Sequence, residues 1–219
     1  MEERKAVFGE EHKIVDNVPE GEGGDESSSD GSAGKSAKQL SNSVVGFFPV
    51  TEEAIHAVPE ITEFENAELN QAVHTGCVDV LKAVKDAPPG AEAIIAISLD
   101  AKQKTDVLIG EPGAGVVPFV KMDAPYMIIH NHAGGETFSL KDVDQFASDP
   151  NCKGLAVVGN NGKVFLLSKT TAYNGEGFSA YYFSHLYGIV PSESNEQFLK
   201  GGMKYGVLYA ERATDRRTD

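Results

Sequence analysis

Two histidines and one aspartate lie close together in the sequence and are residue types that bind transition metals. His130 and His132 end an apolar run that predicts a β-strand, and alternate side chains of a strand point to the same face. A turn at Gly134-Gly135 and a helix predicted from Ser139 return Asp142 towards them. Two imidazoles and one carboxylate leave the fourth tetrahedral position of a zinc ion open to water, as a catalytic site requires.

Each part of this pattern also has a purely structural interpretation. Ser139 at the N-cap and Asp142 three residues later fit a capping box, and a His-x-His pair alone can be a polar strand end. Their joint occurrence, linked by a glycine turn and preceded by an apolar strand, favours the metal site. The two interpretations are compatible, because Ser139 can cap the helix while Asp142 binds the metal.

The segments around these residues predict an α/β domain in which helices pack on a mixed sheet. Apolar residues at helical spacing predict a helix over residues 66–85, and the Pro88-Pro89-Gly90 stretch ends it. Asn160-Asn161-Gly162 predicts a hairpin turn. The predicted strands cover residues 93–99, 107–109, 116–120, 126–130, 155–158 and 164–167, and a second helix covers residues 139–148.

The chain divides by composition into a flexible acidic N-terminal segment, residues 1–42, and a domain over residues 43–219. No large apolar side chain occurs between residues 20 and 36, so burial there cannot offset chain entropy. The domain begins with a lead-in at residues 44–50, either an edge strand or a packed segment, and a helix start at Thr51. It ends in an aromatic-rich C-terminal tail.

The composition limits the classes of partner and compartment. A formal net charge of −14 and a pI of about 4.8 argue against binding to a nucleic-acid backbone. No apolar stretch approaches the length that spans a bilayer, and the first residues do not resemble a signal peptide. Cys77 and Cys152 are predicted to be buried, reduced thiols. We therefore expect a cytoplasmic protein, and no feature indicates its oligomeric state.

The motif resembles the JAMM/MPN+ superfamily of zinc metallopeptidases, and within it the RadC-like branch. That family has an early glutamate, then His-x-His, a short loop and Ser-x-x-Asp, which match Glu92, His130-Asn131-His132 and Ser139 to Asp142 here. The early glutamate maps to Glu92 because this residue opens a strand that ends in Leu99-Asp100. The resemblance covers a motif core at residues 92–169.

The loop of this chain differs from the usual pattern of the branch. Ala133 stands where the branch has proline, and six residues rather than seven separate His132 from Ser139. A loop of this length is similar to the version in phage head-morphogenesis proteins and related toxin-like modules.

The resemblance implies a fold, a reaction and residue roles. The fold would be the JAMM/MPN type, a cytidine-deaminase-like sandwich. His130, His132 and Asp142 would bind Zn²⁺, and Glu92 would accept a proton from the activated water and pass it to the leaving amine. Ser139 would orient the water or hydrogen-bond the oxyanion. The expected reaction is hydrolysis of a peptide or isopeptide bond in a protein substrate.

The sequence leaves two alternatives open and disfavours a third. Glu92 could instead be an ordinary exposed acid after the proline turn. The domain could be a catalytically idle MPN-like module that binds a protein partner in phage assembly or a toxin-like system. A metal-dependent nuclease, suggested by the letters His-Asn-His, is disfavoured by the acidic charge and the missing basic surroundings.

Overall fold

The described part of the chain forms an α/β unit around a six-stranded sheet. The computed structural model describes residues 47–112, 118, 120–186 and 195–214. The helices are α1 (Glu52–His56), α2 (Ala67–Lys85), α3 (Leu140–Ser148), α4 (Gly175–Leu186) and α5 (Asn195–Gly201), and a 3-10 turn follows at Gly202–Tyr205. The strands are β1 (Ala93–Ser98), β2 (Leu108–Ile109), β3 (Tyr126–His132), β4 (Cys152–Gly159), β5 (Val164–Lys169) and β6 (Val207–Arg212).

The sheet is mixed, with the strand order β2-β1-β3-β4-β5-β6. β3 and β4 run parallel, whereas the other neighbouring strands pair antiparallel. A parallel pair needs a crossover connection, which α3 supplies between β3 and β4. The predicted class, a mixed sheet flanked by helices, is confirmed.

Helices cover both faces of the sheet, so the central strands are apolar on both sides. On β1, Ile95 and Ile97 pack into the core that contains α2, while Ile94 and Ala96 pack into the core on the opposite face. The side chains that α3, α4 and α5 add to this second core are Val143, Phe146, Phe178, Tyr182, Phe198 and Leu199. This burial gives the strand ends a rigid support. No helix of the described residues is long and apolar enough to cross a bilayer.

The elements that the sequence predicts most clearly are present. Asn66 caps α2, Thr51 caps α1 and Ser139 caps α3, each through a side-chain oxygen that accepts from the first turn. The hairpin prediction is also confirmed, because β4 and β5 pair antiparallel on either side of residues 160–162.

Other expectations are refined or lie outside the described residues. Residues 47–50 form no strand; this lead-in is anchored by Val50, which is buried in the core with α2, and by the Phe48 amide, which donates to the Ala133 carbonyl at 2.9 Å. The aromatic-rich stretch contains α4, whose Phe178 and Tyr182 rings enter the second core, so this helix belongs to the domain body. The segment over residues 1–42 lies outside the described residues, as does most of the predicted strand at 116–120.

Gly162 offers a test of the hairpin turn. Its φ is +85°, and a Cβ there would lie 2.4 Å from the Ala54 carbonyl oxygen. We expect Gly162→Ala to lower the free energy of unfolding by at least about 1–2 kcal/mol, from left-handed strain alone. The matched control is Ala101→Gly, which relaxes a non-glycine residue at φ +58° and should not destabilise. Urea denaturation measures both, and an unchanged midpoint for Gly162→Ala would contradict the turn geometry.

Candidate metal centre

Strand β3 and helix α3 bring the three predicted ligands together. His130 and His132 end β3 on one face, and Asp142 lies in the first turn of α3. The Nε2 atoms of the histidines are 3.1 Å apart, and each lies 3.2 Å from a carboxylate oxygen of Asp142. The side chains of His130 and Asp142 are only 2% and 12% exposed. This group could hold a metal ion.

The spacing of the three groups fits tetrahedral coordination. Zinc bonds of about 2.0–2.1 Å at tetrahedral angles place neighbouring ligand atoms roughly 3.3 Å apart. The observed separations of 3.1–3.2 Å are close to that value, so the side chains need little rearrangement to bind an ion. Two imidazole nitrogens and a carboxylate at such distances either share protons or share a cation.

Hydrogen bonding orients one of the two imidazoles. Nδ1 of His132 lies 3.2 Å from the Glu136 carbonyl oxygen, which can only accept, so this nitrogen carries the proton. Nε2 of His132 is then free to bind a metal, as is usual where the second ring nitrogen donates to a carbonyl. Nδ1 of His130 is buried and has no hydrogen-bond partner among the described residues.

The loop after β3 turns sharply, as its two glycines predict. The Gly135 amide donates to the His132 carbonyl at 3.1 Å, and Gly135 has φ +76°. The turn passes close to the end of β4, because a Cβ on Gly159 would lie 3.0 Å from the Gly135 Cα. The tight turn allows six residues to connect the strand ligands to α3.

Asp142 is both a capping residue and a member of the candidate metal group, His130, His132 and Asp142, so the two interpretations of the sequence are compatible in the structure. Its Oδ2 accepts from the Ser139 amide at 2.6 Å, while Ser139 Oγ accepts from the Asp142 amide at 3.3 Å. Burial favours the neutral acid, but the charges and hydrogen bonds of His130 and His132 outweigh it and lower the pKa of Asp142. Burial likewise opposes charging of His132, yet Asp142 raises the net pKa of that ring.

The cap gives a prediction for Ser139. Ser139→Ala removes the acceptor of the Asp142 amide and should lower the free energy of unfolding by about 1 kcal/mol. Ser139→Asn keeps a capping oxygen and should recover most of that loss. Chemical denaturation of the three proteins is the measurement. Equal stabilities for the alanine and asparagine variants would contradict the capping geometry.

Glu92 lies directly before β1, beside the end of β3 that carries the histidines. The antiparallel register pairs Ile94 with His130, and side-chain alternation then directs Glu92 to the face of the metal group. Burial raises the pKa of Glu92, while electrostatic interactions with His132 and His130 act in the opposite direction. Glu92 therefore lies on the same side of the sheet as His130, His132 and Asp142, and its role as proton acceptor stays a prediction.

Two buried asparagines near the site did not emerge from sequence reasoning. Asn131 lies between the two histidines and is 0% exposed, and Asn160, at the turn after β4, is 6% exposed. Their amides are joined by a hydrogen bond of 3.0 Å. The available signal was the position of Asn131 in an otherwise apolar strand, where a polar side chain must find partners.

The two cysteines and His185 contribute to packing. Cys77 and Cys152 are buried free thiols, and burial raises the pKa of each to about 12. His185 stacks on Phe198 with ring centroids 4.2 Å apart, which gives it a packing role.

No protein-family model, curated protein or solved structure matches this chain. A functional assignment therefore depends on the geometry of the metal group and of Glu92.

Proposed function

We propose that this protein is a zinc-dependent hydrolase of the JAMM/MPN+ type that cleaves a peptide or isopeptide bond in a protein substrate. The observation that supports it most strongly is the convergence of two imidazoles and one carboxylate at 3.1–3.2 Å. Glu92 adds a carboxylate that is not one of the three ligands. An active metal hydrolase needs both parts, a site with an open position and a base beside it.

The donor set is compatible with zinc, and the choice of zinc over iron rests on the resemblance of the motif to the JAMM/MPN+ family. Two neutral imidazoles and one carboxylate suit a borderline-soft divalent ion in a tetrahedral site. Magnesium and calcium prefer sites made of oxygen ligands, whereas this group offers two nitrogen ligands. When bound, zinc would supply a Lewis acid and an acidified water at its open position.

Glu92 would transfer the proton in this reaction, and Ser139 would stabilise the developing negative charge. A divalent cation would draw down the raised pKa of Glu92, so that the carboxylate stays ionised near neutral pH and can accept a proton. Glu92 then returns this proton to the leaving amine. Ser139 uses a lone pair to accept from the Asp142 amide, so its O–H can donate to the developing oxyanion.

The substrate class follows from the resemblance of the motif and from this proton transfer. Peptide and isopeptide bonds both release an amine, and an amine leaves readily only after it receives a proton. The six-residue loop between His132 and Ser139 is similar to that of phage head-morphogenesis modules. Phage structural proteins therefore belong among the first substrates to test.

The test is a cleavage screen with the zinc-loaded chain against ubiquitin-like conjugates and phage structural proteins. We expect cleavage of at least one substrate, loss of cleavage with a zinc chelator, and recovery on addition of zinc. A wild-type chain that binds one zinc and cleaves nothing in the panel would contradict the hydrolase proposal. That result would favour an MPN-like module that binds a protein partner.

A further inference from the structure

Asn131 is a fully buried amide placed between the two histidines on β3. Because side chains alternate along a strand, Asn131 points away from the metal group and into the layer that contains α2. An amide buried among apolar side chains is costly unless its donors and acceptor are paired. The partners of Asn131 therefore show what its presence at this position achieves.

Two partners of Asn131 are backbone groups on either side of Glu92. Oδ1 of Asn131 accepts from the Ala93 amide at 2.7 Å, and Nδ2 donates to the Ala91 carbonyl at 3.4 Å. The last backbone pair between β1 and β3 joins Ile94 to His130. Beyond that pair, the side-chain amide of Asn131 connects the two strands in place of the backbone ladder.

Asn160 extends this network beyond the two backbone groups that flank Glu92. Asn160 Oδ1 accepts from Asn131 Nδ2 at 3.0 Å, and Asn160 Nδ2 donates to the Phe48 carbonyl at 2.7 Å. The Ala93 amide can only donate and the Ala91 carbonyl can only accept, so the amide of Asn131 has one productive orientation. The backbone around Glu92 is thereby tied to β3, to the turn after β4 and to the N-terminal lead-in.

We propose that Asn131 is a positioning residue for Glu92. It holds the backbone on both sides of Glu92 and so sets the distance between the Glu92 carboxylate and the metal ligands. The residue touches neither metal nor substrate, and it acts through Glu92. Its consequence for catalysis rests on the proposed function, whereas its effect on the position of Glu92 does not.

The competing explanation is that Asn131 only stabilises the core. Ile129 is a suitable control, since it lies on the same strand, faces the same layer and is 0% exposed. Ile129→Ala should lower stability by a cavity effect without releasing the backbone around Glu92. Asn131→Ala should instead release that backbone, and Asn131→Leu is a second variant that removes the same two backbone bonds while keeping most of the side-chain volume.

The test measures the position of Glu92 and the rate separately. In crystal structures of the full chain, we expect the Glu92 carboxylate to shift in Asn131→Ala, or in Asn131→Leu if the first variant does not fold, and to stay in place in Ile129→Ala. An unshifted carboxylate in the asparagine variant that folds overturns the proposal, with or without a known substrate. With a cleaved substrate, kcat should fall about tenfold to a hundredfold while zinc content and KM stay near wild type.

A double variant tests whether Asn131 and Glu92 act on the same catalytic step. Adding Asn131→Ala to Glu92→Gln should cause no further loss of kcat, because both changes act on the same proton transfer. A multiplicative loss would overturn positioning through Glu92. A shifted carboxylate with an unchanged kcat would support the positioning and contradict the proposed role of Glu92.

Discussion

Glu92→Gln is expected to keep one zinc per chain and reduce cleavage by about a hundredfold or more. Glutamine preserves the size of the side chain but cannot accept a proton, and loss of a general base typically costs about this factor. Glu92 is not one of the three ligand residues, so the metal should remain. The measurements are zinc content and kcat on the substrate found in the screen.

Glu136→Gln is the matched control for this variant. Glu136 is a second acid whose charge acts on Glu92, and its backbone carbonyl, which pairs with His132, survives the substitution. We expect this variant to keep most of the activity. Equal activity of Glu92→Gln and wild type would show that Glu92 does not carry the proton.

His132→Ala is expected to abolish stoichiometric zinc binding. The variant removes one of three ligands and leaves the Asp142 carboxylate without one of its two imidazole partners. Zinc stabilises a folded protein in proportion to the logarithm of its concentration over Kd, by about 4 kcal/mol at a thousandfold excess. The zinc-dependent rise in Tm should therefore disappear in the variant.

His74→Ala controls for the loss of a histidine as such. His74 bonds the Pro59 carbonyl through Nδ1 at 2.9 Å and lies outside the metal group. This variant should bind zinc like the wild type. Unchanged zinc content in His132→Ala would mean that the ligand assignment is wrong.

The parts of the fold that could be predicted are those governed by local chemistry. Helix α2 has an apolar stripe, the Asn66 cap and a proline stop within one continuous segment, and each signal acts over a few residues. The helix α4 was not predicted because its side chains are apolar in most directions, without a clear helical period. The rings of Phe178 and Tyr182 are explained by the second core, into which they pack.

The candidate site likewise has a part that local sequence predicts and a part that depends on the tertiary structure. His130, His132 and Asp142 lie within one strand-turn-helix segment, so their convergence follows from strand alternation and a capped helix. The hydrogen bond from Ala93 to Asn131 spans 38 residues and depends on strand register, which local spacing does not specify. Glu92 could therefore be proposed only from the family resemblance, and the roles of Asn131 and Asn160 required the structure.

Anomalous diffraction from crystals of the zinc-reconstituted chain tests the metal centre most directly. We expect one zinc-edge peak per chain, about 2.0–2.2 Å from Nε2 of His130, Nε2 of His132 and a carboxylate oxygen of Asp142. The Glu92 carboxylate should lie next to the open coordination position. Absence of a peak at this group, or a peak specific to the iron edge, would contradict the zinc-hydrolase assignment.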